Sequence, residues 1–189
     1  MEEVVQPHFE GGPRFWGGAP IGSPRAAAPF RGPDVLLDWE WVVALLEAEP
    51  IYWLVTAGDS QCPQARPLWG VWIDNMLNAG TGSPRQKRDL AMNDNVTVHL
   101  PSGANVVILE GRFVERHDRE LRLRAKEAYS RKYDWPLKLG DEDIGDTVLL
   151  VEPRTIVAWT DGGGDLPGKS APGKRFPATA GKWTFPAFD

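Results

Sequence analysis

The sequence predicts a mainly β domain, built as a closed or split antiparallel barrel with helices at its periphery. Short stretches rich in β-branched and aromatic residues recur from residue 51 to residue 114, and turn residues separate them. About six such strands are predicted, against only three helices. Strands joined by short turns pair antiparallel with their neighbours, and closing the sheet protects its edges.

Residues 1–33 are predicted to form a Pro- and Gly-rich arm that precedes a single domain, residues 34–189. The arm contains Gly-Gly pairs and repeated Pro, and its apolar residues follow neither the period of a strand nor that of a helix. Its aromatic residues, Phe9 among them, are expected to attach parts of it to the domain.

Six strands are predicted from alternating patterns or from β-branched apolar runs bounded by turn residues. They cover residues 51–56, 64–73, 76–81, 96–100, 105–114 and 147–160. Asp74-Asn75 is predicted as a tight hairpin turn. The last segment is either a strand pair or one strand bent at Pro153. Residues 161–177, rich in Gly, Pro and Lys, are expected to form a flexible loop.

Three helices are predicted from capping residues and apolar stripes. The first follows Asp38, and the third follows Asp118 and runs to about Tyr133. The second opens at Ser83-Pro84-Arg85-Gln86 and ends near Met92. Ser is a good N-cap, Pro is favoured at the first helical position, and Gln three residues after Ser completes a capping box.

Composition and charge exclude several classes of function. The net charge of −5 argues against a general nucleic-acid binder, and no apolar run of about 18 residues predicts a membrane span. Cys62 is the single cysteine, so no disulfide framework can form and a cytoplasmic setting is expected. The three histidines are far apart in the sequence without ligand spacing, so no metal site is predicted.

The start of the second helix carries the strongest functional signal. A helix N-terminus presents backbone N–H groups and a partial positive charge, and Gly80 and Gly82 allow a ligand to approach the backbone. Three cationic side chains follow within one turn: Arg85, Lys87 and Arg88. Cations are unfavourable at this end of a helix, so a bound phosphate would account for them. A solvated basic turn fits the residues equally well.

Other residues extend this anion site in the predicted fold. Arg66 lies on a strand whose neighbour leads into the helix start, so a barrel could direct it at the same anion; a surface arginine is as compatible with the pattern. Trp69, Trp72 and Trp183 could pack on an aromatic ring system, although each fits core packing as well.

In order and spacing, these motifs resemble the pyridoxamine 5′-phosphate oxidase-like, FMN-binding split-barrel family. The resemblance covers about residues 36–186. The segments that carry it are Arg66 to Trp72 with Asp74, Thr81-Gly82, Arg85, Arg88-Asp89-Leu90, Asn93 to Val96, Val98 to Leu100, Ser102-Gly103, Val106 to Gly111, and the closing run Phe176 to Phe185.

The resemblance implies a six-stranded split barrel that forms a homodimer with a flavin across the subunit interface. The phosphate-binding positions of the family fall on Arg66, Thr81 and Arg85, while its usual Lys falls on Gln86. The full set of positions expected to bind the cofactor is Arg66, Leu68, Trp69, Gly70, Thr81, Gly82, Ser83, Arg85, Lys87, Arg88 and Trp183. No catalytic side chain is predicted, because the cofactor carries the redox chemistry.

The predicted function is an FMN-dependent oxidoreductase that transfers hydride to or from a small molecule. One alternative is a reductase that uses the deazaflavin coenzyme F420. Another is a carrier that binds a flavin or tetrapyrrole without turnover, and a third is a structural dimer that has lost its ligand. True pyridoxamine phosphate oxidases are expected to end in an Arg-rich segment, and residues 186–189 contain no Arg, so that specific activity is not predicted.

Overall fold

The computed structural model describes residues 6–11, 35–58, 62–134, 147–160 and 179–187. Within these ranges, one ten-stranded sheet curves around a core and three helices flank it. The strands are β1 (His8–Gly11), β2 (Val35–Leu36), β3 (Tyr52–Thr56), β4 (Gln64–Leu68), β5 (Gly70–Ile73), β6 (Met76–Ala79), β7 (Asn95–His99), β8 (Asn105–His117), β9 (Thr147–Thr160) and β10 (Thr179–Thr184). The helices are α1 (Trp39–Ala48), α2 (Pro84–Met92) and α3 (Arg119–Tyr133).

The sheet divides at β9, and this division gives the barrel its split form. The main path runs β1-β10-β9-β8-β7-β3-β4, with every neighbour antiparallel. The first half of β9 also pairs with β6, whose other partner is β5, whereas its second half pairs with β10. The β5–β6 hairpin and β10 therefore pair with different halves of one long strand.

A bulge bends β8 and β9 at the point where the partners of β9 change. The register between the two strands shifts between Glu110 and Gly111, and Gly111 lies opposite Pro153. A Cβ on Gly111 would lie 2.1 Å from the carbonyl oxygen of Glu152, so only glycine fits this close backbone approach. Pro153 has no N–H to donate, which suits a break in the ladder.

The core fills the concave side of the sheet. Tyr52, Leu54 and Thr56 alternate inward along β3, while Val42 and Leu46 of α1 pack over them. A smaller cluster around Leu121 of α3 covers the β6 side. The ring of Trp183 lies over Gly181, where a Cβ would be 2.3 Å from the indole.

The mainly β, split-barrel prediction is confirmed, but the strand count of six was wrong. Three short strands were missed at β1, β2 and β10, and the predicted strand 64–73 is broken at Trp69 into β4 and β5. The predicted turn at Asp74-Asn75 is present, with both residues at positive φ (52° and 60°), as a hairpin of this type requires. The predicted strand 147–160 is one bent strand, not a pair.

The three predicted helices are present with nearly the predicted bounds. The Asp118 side chain caps α3 by accepting from the N–H of Leu121 at 2.8 Å, whereas Asp38 occupies the N-cap of α1 without a side-chain cap bond. The strand β1 brings residues 8–11 of the predicted arm into the sheet. Residues 12–33 of that arm and the predicted loop 161–177 lie outside the described residues.

Candidate functional site

A cavity of about 370 Å³ lies between β4 and the N-terminus of α2. Its lining residues are Arg66, Pro67, Leu68, Gly80, Thr81, Gly82, Ser83, Pro84 and Gln86. Among the described strands, β4 pairs only with β3, so the cavity lies at a free edge of the sheet. Pro67 suits an edge position because it cannot donate a ladder hydrogen bond.

The turn before α2 is held by three short-range hydrogen bonds. The Ser83 hydroxyl oxygen accepts from the N–H of Gln86 at 3.4 Å, which is the predicted cap. The Ser83 N–H donates to the Thr81 hydroxyl oxygen at 3.1 Å, and that hydroxyl donates to Gln86 Oε1 at 2.6 Å. The predicted capping box is therefore only half formed, because Thr81 takes the place that Gln86 would have occupied at the Ser83 N–H.

Gln86 instead points into the barrel, where it is fully buried. Its Nε2 donates to the carbonyl oxygen of Leu54 on β3 at 3.1 Å. Two further bonds attach α2 to the same region: the Thr56 hydroxyl donates to Asp89 at 3.1 Å, and Asn93 Nδ2 donates to the carbonyl of Ala57 at 2.9 Å. The wall of the cavity formed by α2 is thus fixed to β3 and to the residue after it by one buried and two partly buried hydrogen bonds.

Few donors at the helix start remain available to a ligand. Pro84 has no N–H, and the N–H groups of Ser83 and Gln86 are already paired within the turn. Within the described residues, the Arg85 N–H has no acceptor. On the opposite wall, Arg66 donates from Nε to Gln64 Oε1 at 3.3 Å, which leaves its terminal guanidinium nitrogens for an anion.

Sequence comparison and structural comparison give different results for this chain. No protein-family model matches the sequence, and no curated protein matches it. Among solved structures, a conserved hypothetical protein from Mycobacterium tuberculosis is similar with a TM-score of 0.55 and 17% identity, over 73% of this chain and 97% of that one. A candidate 5-nitroimidazole antibiotic resistance protein from Bacteroides thetaiotaomicron also gives a TM-score of 0.55, at 10% identity over 98% and 96% of the two chains.

A third similar structure carries the family name. It is a candidate pyridoxamine 5′-phosphate oxidase from Listeria innocua, with a TM-score of 0.50 and 19% identity over 63% of this chain and 95% of that one. This chain has the pyridoxamine 5′-phosphate oxidase-like split-barrel fold. At these identities the likeness establishes the fold of the split barrel and nothing finer.

The split barrel brings together five of the eleven predicted cofactor positions. Those that line the cavity are Arg66, Leu68, Thr81, Gly82 and Ser83. Arg85, Lys87 and Arg88 are exposed on α2 and do not line it. The prediction did not include Pro67, which lines the cavity beside Arg66; its place on an edge strand was the available signal.

The three remaining predicted positions lie elsewhere in the split barrel. Trp69 is 47% exposed, and its ring stacks on that of Tyr133 with centroids 4.6 Å apart. Gly70 is buried beside it and donates its N–H to the Tyr133 hydroxyl at 2.8 Å. Trp183 is a core residue, 2% exposed, whose ring contacts those of Phe9 and Trp39 at 5.6 and 5.4 Å.

The sequence analysis missed a polar cluster between α3 and β3. Lys132 Nζ donates to the Tyr52 hydroxyl oxygen at 2.8 Å and lies 4.7 Å from the centre of that ring, while the Tyr52 hydroxyl donates to the Leu46 carbonyl. Burial lowers the pKa of Lys132 to about 8, although Glu49 and Glu47 act in the opposite direction. No local sequence pattern predicts this cluster, because its members come from three separate elements.

Two predicted absences concern metals and membranes. In the part of the chain that the structure describes, no group of three or more His, Cys, Asp or Glu side chains is placed to hold a metal ion. Over the same residues, no helix is both long enough and apolar enough to cross a membrane.

Proposed function

We propose that this split barrel is an oxidoreductase that binds a flavin-type cofactor by its phosphate in the β4–α2 cavity. The observation that carries the proposal is the position of Arg66, which faces the N-terminus of α2 across that cavity. A guanidinium and a helix N-terminus are each suited to a phosphate, and here both border one space. FMN and the deazaflavin coenzyme F420 are the two candidate cofactors.

The cavity residues divide into an anion-binding side and an apolar side. Arg66 and the Ser83 hydroxyl would hold the phosphate, while Pro67 and Leu68 offer apolar surface to the rest of the cofactor. Arg85, Lys87 and Arg88 have exposed side chains close to the entrance. Their charge raises the local concentration of an anionic ligand, an effect that salt screens.

A bound flavin would supply the redox chemistry, and the reaction class is hydride transfer. Within the described lining, Arg66 is the one ionisable side chain, so no general acid or base is assigned to the protein. The same observation favours a second candidate function, a carrier that binds the cofactor without turnover. Steady-state reduction of an electron acceptor by the loaded protein with NADH or NADPH separates the two, because a carrier gives a single reduction at most.

The outer face of the sheet supports a homodimer that would complete the cavity. Trp53, His99, Ile108 and Val157 form a continuous row across four neighbouring strands, on the side opposite the core. Pro67 pairs with Trp53 and extends this row to the cavity wall. A second copy packed on the row would therefore close the open side of the cavity, where the flavin would contact both subunits.

Absorption spectroscopy of the purified protein tests the cofactor assignment, followed by titration with FMN and with F420. Replacing Arg66 by Met should raise the Kd for FMN by about 10- to 100-fold, because a charge-assisted hydrogen bond is lost. Arg112→Met is the matched control, since Arg112 pairs with Asp94 away from the cavity. Unchanged FMN binding in Arg66→Met would overturn the assignment.

The exposed cations of α2 and the dimer face have separate tests. Replacing Arg85 and Arg88 together by Ala should leave the fold intact and weaken FMN binding most strongly at low salt.

Ile108→Asp should convert a dimer to a monomer in light scattering, with Glu127→Lys on α3 as a charge-change control. A wild-type protein that is monomeric at all concentrations would contradict the dimer.

A further inference from the structure

Gln86 fixes the direction of a chain of hydrogen bonds that ends in the cavity. The Leu54 carbonyl can only accept, so the amide nitrogen of Gln86 must face it. Gln86 Oε1 therefore faces Thr81 and can only accept in turn. The single proton of the Thr81 hydroxyl must then point at Gln86, across 2.6 Å.

This arrangement leaves Thr81 without a donor for a ligand. Its hydroxyl oxygen already accepts from the Ser83 N–H at 3.1 Å, and what it still offers the cavity is a lone pair. A lone pair facing a phosphate oxygen repels it, and the repulsion grows with the charge of the phosphate. The Gln86 bridge, the pair of bonds from Thr81 to Gln86 and from Gln86 to Leu54, thus removes one phosphate-binding group.

The charge of the cavity also favours a phosphate with a single negative charge. Among its described lining residues, Arg66 supplies the one positive charge. A single guanidinium neutralises a phosphodiester, which carries one negative charge. A phosphomonoester carries about −1.5 to −2 at pH 7, so only the partial positive charge of the helix start would balance the second negative charge in the cavity.

We propose that Gln86 is a specificity-determining positioning residue, which suits this cavity to a phosphodiester monoanion in preference to a phosphomonoester dianion. The inference rests on the proposed function, because it concerns the phosphate of the same cofactor. Flavins or deazaflavins whose phosphate is esterified on both sides belong to the favoured class, and coenzyme F420 is one of them. FMN belongs to the disfavoured class.

The test compares three ligands that share one ring system: riboflavin, FMN and the monomethyl phosphodiester of FMN. Each is titrated into the full chain near pH 8 at one ionic strength, with flavin fluorescence as the readout. Wild-type protein should bind the diester about tenfold more tightly than FMN. This factor is expected because part of the charge of the FMN phosphate would be unpaired at a solvent-accessible site. Riboflavin gives the affinity without any phosphate.

Two variants of Gln86 assign the preference to this residue. Gln86→Lys adds a second positive charge and should reverse the order, so that FMN binds more tightly than the diester. Gln86→Met keeps the side-chain length and frees the Thr81 hydroxyl to donate to a phosphate, so the preference should shrink. Circular dichroism checks that both variants fold. If Gln86→Lys does not fold, Gln86→Met alone tests whether Gln86 causes the preference.

Thr56→Val is the matched control, because it breaks another bond between α2 and β3, to Asp89, without touching the Gln86 bridge. It should keep the wild-type ratio of the two affinities even if both fall. Equal or tighter binding of FMN by wild type, or an unchanged ratio in the folded Gln86 variants, would overturn the inference alone. Failure of wild type to bind any of the three ligands or F420 would overturn the proposed function as well.

Discussion

The amine of Lys132 is expected to make the free energy of unfolding rise with pH between about pH 8 and about pH 10. Burial between α3 and β3 lowers its pKa to about 8, whereas a lysine in an unfolded chain titrates near 10.4. Between these values the unfolded chain binds more protons than the folded protein does. The free energy of unfolding therefore rises from about pH 8 to about pH 10, and this contribution is lost as the pH falls through 8.

The size of the effect follows from the difference between the two pKa values. At about 1.4 kcal/mol for each pH unit, full expression of the difference would give about 3 kcal/mol. Lys132 is only half-buried, so solvent screening reduces the expected gain to about 1–2 kcal/mol. Above about pH 10 the trend should reverse, because burial raises the pKa of Tyr52, Tyr129 and Tyr133 and the unfolded chain then loses its protons first.

Urea unfolding followed by far-ultraviolet circular dichroism measures this difference at a series of pH values. Wild type should gain about 1–2 kcal/mol between about pH 8 and about pH 10 relative to Lys132→Met, which has no amine to titrate. Lys132→Arg is the second comparison, because it keeps a positive charge that does not titrate in this range. If the wild-type and Lys132→Met curves run parallel within about 0.5 kcal/mol, the buried-amine explanation is wrong.

Three further predictions concern stability and share the same unfolding assay. Gln86→Leu should cost about 2 kcal/mol, since it breaks one buried and one partly buried hydrogen bond while adding apolar volume; a variant as stable as wild type would show that the bridge contributes nothing. Gly111→Ala should cost at least about 2 kcal/mol, because the added Cβ would meet a backbone carbonyl that cannot move aside, and a cost below about 1 would contradict this. Asp118→Ala should cost about 1 kcal/mol and Asp38→Ala clearly less, because only Asp118 forms a side-chain cap bond; equal losses would exclude capping as the cause.

The parts of the fold that local pattern determines were predictable from the sequence. The alternation in β3 and β7 and the caps of α2 and α3 involve residues within one element, so the sequence contains the relevant signal. The strand break at Trp69 is different in kind. The carbonyl of Trp69 lies within hydrogen-bond distance of the Tyr129 hydroxyl on α3, 60 residues away, and local alternation contains no information about that contact.

The missed strand β1 also depends on partners that are distant in sequence. His8 and Phe9 pair with Thr184 and Trp183 of β10, at the other end of the chain. An ion pair between Lys182 and Glu10, at 2.6 Å, joins the same two strands. A short segment between Gly and Pro gives no periodic signal of its own, so the pairing was visible only in the structure.

Gln86 shows why the candidate site was only partly predictable. The Ser-Pro-Arg-Gln pattern correctly placed the helix start, and the resemblance marked position 86 as a departure from the usual Lys. Two other groups determine the direction of the Gln86 side chain. The Thr81 hydroxyl accepts from the Ser83 N–H in place of Gln86, and the Leu54 carbonyl accepts from the Gln86 amide. Leu54 lies on β3, so its hydrogen bond with Gln86 of α2 is a tertiary contact that the capping rules do not predict.

The cavity therefore separates two functions that a phosphate site often combines, which are attracting an anion and selecting between anions. Hydrogen bonds of the Gln86 and Asp89 side chains fix the shape of its α2 wall, while bonds within the turn already pair the N–H groups of Ser83 and Gln86. Positive charge is concentrated outside, on the exposed side chains of α2. Exposed charge attracts any anion and weakens with salt, whereas fixed hydrogen bonds around Thr81 distinguish between anions. Salt should therefore reduce the affinity of this protein for a flavin phosphate more than it changes the choice between a diester and a monoester.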